Sequence, residues 1–268
     1  MSARLLEVEK LAIHLPQTHG GFATVVKDVS LTLDAGEALG IVGESGSGKS
    51  QTALAILGLS KTGARYDGVL RVQDRDWLTL DERARSAVRG RVVAAVFQNP
   101  QQSLNPYLRI GEQLREGLML HHGSARAAAD AEARRWLDAV QVADAARRMT
   151  QYPHELSGGM CQRVCIAMAL SLKPMLLIAD EPTTALDAST QAQLLDLLRA
   201  LRQELGLALL LISHDLGVVA ELCARTLVMQ HGVGVELGDT AQVLQAPQHP
   251  YTSTLVDARR RLYGAPLQ

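Results

Sequence analysis

"GESGSGKS" occupies Gly43–Ser50, directly after the apolar run "ALGIV" (Ala38–Val42) and leading into "KSQTALAILGL" (Lys49–Leu59). The apolar run predicts a strand buried on both faces, as in a parallel sheet. The stretch after it repeats apolar residues at helical spacing. Between strand and helix lies bare backbone. Glycines there let the chain curl so that successive N–H groups point inward at an anion, and the helix adds the positive end of its dipole. The spacing is G-x-x-x-x-G-K-S, with Gly43, Glu44, Ser45, Gly46, Ser47 and Gly48 forming the turn. Lys49 can then reach β- and γ-phosphates, and the Ser50 hydroxyl can sit on Mg²⁺.

The 268 residues suit one large domain, and 47% hydrophobic content supplies a core. Only 3% are aromatic, so that core is aliphatic. A formal charge of -1 gives no global attraction to nucleic acid or anionic lipid. Charged Arg4, Glu7, Glu9 and Lys10 break any signal-peptide core. No uncharged run approaches the roughly 20 residues that span a bilayer. These features point to a soluble intracellular protein or one face of a membrane complex. Cys161 and Cys165 lie four apart in one predicted helix, with Cys223 in another. Two thiols do not complete a tetrahedral metal site, so small buried side chains are the expectation.

Around the glycine-rich turn the sequence predicts an α/β core. "LLEVEKLAIHL" and "VVKDVSLTLDAG" alternate loosely, as half-buried strands do, with a turn at Asp34–Gly36. "DGVLRVQ" and "RVVAAVFQ" read as further strands, and residues 110–149 as helix. "MLLIAD" (Met175–Asp180), the helix "STQAQLLDLLRALRQELG" and the strand "ALLLIS" form a strand–helix–strand unit. Asp180 ends an apolar strand, where a phosphate-binding protein needs a carboxylate for Mg²⁺. Glu181 follows it, placed for a base that orients a water.

"LSGGMCQR" (Leu156–Arg163) adds a second glycine turn before a helix, at Ser157, Gly158 and Gly159. One triphosphate does not need two such turns on one chain, so the second is redundant unless it serves another chain's nucleotide. Here the sequence resembles the ATP-binding-cassette (ABC) ATPases. The resemblance implies a P-loop NTPase core with an N-terminal antiparallel β subdomain and a helical subdomain inserted at about 99–170. It implies one such domain over 1–268, ending in a family segment at about 240–268. Leu156–Met160 matches the family's signature, with Met where Gln is usual. Gln98 matches the Q-loop glutamine, which the resemblance places among the catalytic and metal-binding residues and, with the segment after it, on the path of motion to the permease. Ala185-Leu186-Asp187 matches the D-loop, and His214 matches the histidine that contacts γ-phosphate. For the aromatic that stacks on adenine, Phe22 or His19 is available, and Phe22 is equally readable as a core residue.

"FQNPQQSLNPYLRIGEQL", "YPHELSGGMCQRV" and "APQHPYTSTL" are similar to the peptide/nickel importers. That resemblance implies ATP hydrolysis with Mg²⁺ driving uptake of di- or oligopeptides. "QSLNP" points to the peptide branch, whereas the short ending "YGAPLQ" resembles nickel-type members, so nickel or metal-chelate uptake is the alternative. The implied partners are a second ABC ATPase subunit in a heterodimer, two transmembrane permease subunits and an extracytoplasmic solute-binding protein, at the cytoplasmic face of the plasma membrane. A soluble ABC protein acting on nucleic acid or ribosomes is the reading from another class. It would carry a second cassette or a basic extension, and no nucleic acid partner is expected. Lys49→Ala should weaken nucleotide binding itself. Titration with a fluorescent ATP analogue checks this, and unchanged affinity would mean that Gly43–Ser50 is not the phosphate cradle.

Overall fold

The computed structural model describes residues 4–184 and 186–263, with side chains through Arg261. Ala185 of the D-loop match and the final "GAPLQ" lie outside the described residues. Two compact units divide the chain, one of residues 1–86 and 206–268, the other of 87–205.

The first unit opens with β1 (Arg4–Pro16) and β2 (Phe22–Asp34), an antiparallel pair with Leu6 opposite Leu33 and Ile13 opposite Val26. The loose alternation of β1 has a physical source. Lys10 sits at a register shift with φ 47°, which turns the residues after it to the other face. Leu6, Leu11, Ile13, Val26, Val29 and Leu33 are fully buried, each contributing about 1.5–3 kcal/mol. β3 (Ala38–Val42) is buried at all five positions and runs into α1 (Lys49–Leu57). β4 (Arg65–Val72) pairs antiparallel with β1, and the short β5 (Arg75–Asp76) turns back along it. Trp77 follows, 1% exposed, its indole N–H donating to Ala55 O at the end of α1 (3.1 Å). α2 (Glu82–Val88) comes next in the chain.

The second unit holds β6 (Val93–Val96), α3 (Pro100–Ser103), α4 (Ile110–His122), α5 (Arg126–Ala139), α6 (Ala145–Arg148) and a 3-10 turn at Pro153–Glu155. α7 (Gly158–Ser171), β7 (Leu176–Asp180) and α8 (Ala188–Leu205) complete it. β6 and β7 pair in parallel, Val93 with Leu176 through Val96 with Ala179. Leu114 and Leu118 of α4, Leu137 of α5 and Val164 of α7 are all buried. The Arg163 guanidinium, 9% exposed, ties α7 to the end of α5 by donating to Val140 O (2.8 Å) and Gln141 Oε1 (3.1 Å).

The chain returns to the first unit with β8 (Ala208–Ser213), α9 (Leu216–Leu222), β9 (Arg225–Gln230), β10 (Val233–Asp239), α10 (Thr240–Gln245) and α11 (Pro250–Tyr263). Strand order in this unit is β5, β4, β1, β2, β10, β9, β3, β8. β3 runs parallel to both β8 and β9. The sequence reading has no strands at β9 and β10. In β10, "VGVELGD" has two glycines and no clean alternation, and it is sheet contact with β9 and β2 that makes it a strand. Cys223, expected within a helix, instead caps the end of α9 in extended conformation (φ -113°).

Cys161 and Cys165 both lie on α7 and turn their thiols to backbone oxygens, those of Pro153 (3.5 Å) and Pro100 (3.6 Å). Burial pushes both thiols up, Cys165 to about 12. At pH 8 only about one Cys165 in ten thousand would then be thiolate, the reactive form. Iodoacetamide at that pH should therefore label Cys165 only after denaturation, as read by peptide mass spectrometry. Labelling of the native chain at the rate of a free cysteine would contradict this burial.

Candidate functional site

In the first unit, β3 delivers the chain into a turn that only glycine can make at two points. Gly43 has φ 151°, and a Cβ there would run into the Met229 carbonyl oxygen. Gly48 has φ 101° at the start of α1, with a Cβ only 3.1 Å from Val25 O. The Lys49 ammonium bends back into this turn. It donates to Gly43 O (2.8 Å), Glu44 O (2.8 Å) and Ser47 Oγ (3.4 Å), and the residue is 6% exposed. α1 has no side-chain cap and no acidic residue in its first turn. Its N-terminal partial charge is therefore not answered by a side chain, and a buried cation stands beside it. Glu44, Ser45, Gly46 and Ser50 are exposed along the rim, whereas Ser47 is buried. The arrangement suits a polyphosphate.

Parallel pairing brings His214 to the same end of the sheet. Val42 lies opposite Ser213, so Gly43 and His214 leave neighbouring strands together. Two bonds fix the loop around His214. Asp215 N–H donates to Ser213 Oγ (3.0 Å), and the Asp215 carboxylate accepts from Gly217 N–H (2.7 Å) to cap α9. Phe22 is 40% exposed, which removes the core reading. The Arg65 guanidinium lies over its ring, 4.1 Å from the centroid. His19 is exposed too.

In the second unit the same logic joins Gln98 to the acidic pair. Val96 faces Ala179, so the chains leaving β6 and β7 emerge side by side. Asp180 closes β7 at 9% exposure. Glu181 has φ 48°, a left-handed conformation that costs of order 1 kcal/mol for such a residue. Its Oε2 accepts from Gln98 Nε2 (2.7 Å) and Thr184 Oγ1 (2.9 Å). Thr184 is a partner that sequence reasoning left out; its place three residues after Glu181, in a turn, was the available signal.

Ser157 caps α7, its Oγ accepting from Met160 N–H (3.3 Å). Ser157 and Gly158 are exposed, and a Cβ on Gly158 would meet nothing within 4 Å. The second glycine turn is thus presented outward, unlike the first with its buried lysine. A cavity of about 520 Å³ joins it to the segment after Gln98, lined among others by Gln98, Asn99, Gly158, Gln162, Thr184 and Leu186. Asp187 accepts from Thr190 N–H (2.9 Å) and Thr190 Oγ1 (2.7 Å) at the start of α8. Those bonds hold its carboxyl below the usual range.

Comparison with known proteins shows the family. Residues 26–184 match the model of the family described as "ABC transporter". The chain is 52% identical over 258 residues to the oligopeptide transport ATP-binding protein OppD of Salmonella typhimurium, covering 96% of this chain and 77% of that protein. It is 48% identical to OppD of Haemophilus influenzae, covering 97% of this chain and 80% of that one. Among solved structures, the dimeric post-hydrolysis state of the ATP-binding cassette MJ0796, bound to ADP and Pi, superimposes with a TM-score of 0.78 at 26% identity. That match covers 88% of this chain and 99% of the other. With a family match over more than half its length and relatives about half identical across nearly all of it, this chain belongs to the ABC transporter family.

Proposed function

We propose that this chain is the ATP-hydrolysing subunit of an importer of di- or oligopeptides. The observation that carries the reading is the 52% identity to an oligopeptide transport ATP-binding protein, on a chain that holds a buried lysine inside a glycine turn. Both relatives named above are oligopeptide transport proteins, so nickel uptake is not favoured. No helix among the described residues is long and apolar enough to cross a membrane. The partners that go with this reading are a second ATPase subunit, different from this one, two permease subunits and a solute-binding protein. The chain would then act from the cytoplasmic face of the membrane.

Each residue has a role that its chemistry supports. The turn Gly43–Gly48 would cradle the phosphates of ATP, with Lys49 and His214 stabilising charge on the γ-phosphate. Phe22, with Arg65 on its ring, would stack on adenine. Among the described residues no group of three or more His, Cys, Asp or Glu side chains could hold a metal. Mg²⁺ does not need such a group, because it is bound through one or two protein oxygens and the oxygens of the substrate. Asp180 and Gln98 are the ligands proposed for it in the second unit, and Ser50 is the one proposed in the first. When bound, the ion would neutralise negative charge on the phosphates. Glu181, oriented by Gln98 and Thr184, would accept a proton from the attacking water. Ser157, Gly158 and Gly159, facing outward, would meet the nucleotide of the second subunit, with Asp187 beside that interface.

Glu181→Gln preserves shape and removes the base. It should bind ATP normally, lower kcat by at least about 100-fold, and accumulate an ATP-bound cassette dimer on size exclusion. Phosphate release at the wild-type rate would remove Glu181 from this role.

Ser157→Arg tests the outward turn. Nucleotide titration of the isolated subunit should be unchanged, whereas ATPase activity of the assembled transporter should be lost or sharply reduced. Loss of binding by the isolated subunit would place Ser157 on its own chain's nucleotide, and the sandwich reading would fail.

A further inference from the structure

The carboxy-terminal stretch "APQHPYTSTL" (Ala246–Leu255) is folded against the nucleotide loops of the first unit. Glu236 on β10 accepts from Gln248 N–H (2.9 Å) and His249 N–H (3.0 Å), which turns the chain back after α10. His249 Nδ1 accepts from Tyr251 N–H (3.2 Å) at the start of α11. The turn drives Tyr251 inward, to 9% exposure. Its hydroxyl oxygen there accepts a hydrogen bond from the backbone N–H of Glu44, 3.0 Å away across 207 residues of sequence. The N–H of Glu44 and the carbonyl of Gly43 belong to one peptide group. Lys49 holds its carbonyl, and Tyr251 holds its N–H. Burial pushes the Tyr251 phenol up, which keeps it a neutral hydroxyl at that position.

Eight residues further along α11, Arg259 reaches the second loop. Its Nε lies 3.3 Å from Asp215 Oδ1. Asp215 follows His214 directly and caps α9. Gly217 packs under the Arg259 guanidinium, and a Cβ there would have to displace the end of that side chain. One helix therefore touches both the phosphate turn and the His214 loop, through two different side chains.

We propose that Tyr251 and Arg259 are positioning residues for ATP hydrolysis. Tyr251 sets the Gly43–Glu44 peptide and thereby the seat of Lys49. Arg259 sets the His214 loop through Asp215. The proposal rests on the reading of Gly43–Ser50 as phosphate cradle and of His214 as a γ-phosphate contact. It predicts that the two substitutions weigh differently on the kinetic constants, because the Gly43–Ser50 turn also binds the phosphates of the ground state, whereas the His214 loop meets charge that develops in the reaction.

Steady-state ATPase kinetics of the full chain in its transporter test it. Tyr251→Phe keeps the ring and removes one acceptor, so the KM for ATP should rise about five-fold with kcat within about two-fold. Arg259→Gln should lower kcat about five-fold with KM little changed, and Arg259→Lys should recover most of that loss. Equal effects of both variants on both constants, or no effect, would overturn the proposal. Lys49→Ala separates the two levels of the argument. If it abolishes binding while Tyr251→Phe changes nothing, the cradle stands and the positioning role falls. If Lys49→Ala also binds normally, the cradle reading falls first. Amide hydrogen exchange of the wild-type chain gives a measurement that needs no variant to fold. Glu44 N–H should be protected although the residue is exposed, and exchange at the rate of an open loop would overturn the bond to Tyr251.

Discussion

The peptide group between Gly43 and Glu44 is the point on which the Gly43–Ser50 turn depends. Its carbonyl takes the Lys49 ammonium at 2.8 Å, and its N–H donates to the Tyr251 hydroxyl at 3.0 Å. Only glycine fits the φ of 151° at this position beneath the Met229 carbonyl. A buried ammonium is tolerable because loop oxygens satisfy it, and those oxygens are available only while the turn keeps this curvature. Sheet, turn and carboxy-terminal helix thus constrain one another through a single peptide.

Two parallel pairings then decide which side chains meet. In the first unit, Val42 opposite Ser213 delivers Gly43 and His214 to one strand end. In the second, Val96 opposite Ala179 delivers Gln98 to the Glu181 carboxylate. Parallel strands suit this purpose because their carboxy-terminal ends lie together, so residues distant in sequence leave the sheet at one edge. Glu181 is held there in a left-handed conformation, a local cost that the bonds from Gln98 and Thr184 help to offset.

The two glycine turns begin helices in the same way and differ in what surrounds them. The first has a lysine 6% exposed and a hydroxyl from α11 behind it. The second has Ser157 as a cap, an exposed Gly158 and open space above it. A closed turn can hold an anion with its own chain alone. An open one offers helix-end charge to something outside the chain.

Local spacing was enough to read much of this protein from its residues. The buried strand before Gly43, the G-x-x-x-x-G-K-S turn, the antiparallel opening hairpin and the strand ending at Asp180 are all encoded within a few residues, where periodicity and glycine chemistry act. The family resemblance followed from such local stretches, and the matches over 26–184 and beyond agree with it. Tertiary structure decided what depends on long-range pairing. β10 is a strand because β9 and β2 flank it, although its own glycines weaken the pattern. Phe22 is a surface ring under Arg65 because three strands set those two side chains together. The Gln98–Glu181 and Glu44–Tyr251 bonds join residues 83 and 207 positions apart. No local propensity specifies such pairs. They follow from strand register and from the packing of α11, which exist only once the chain has folded.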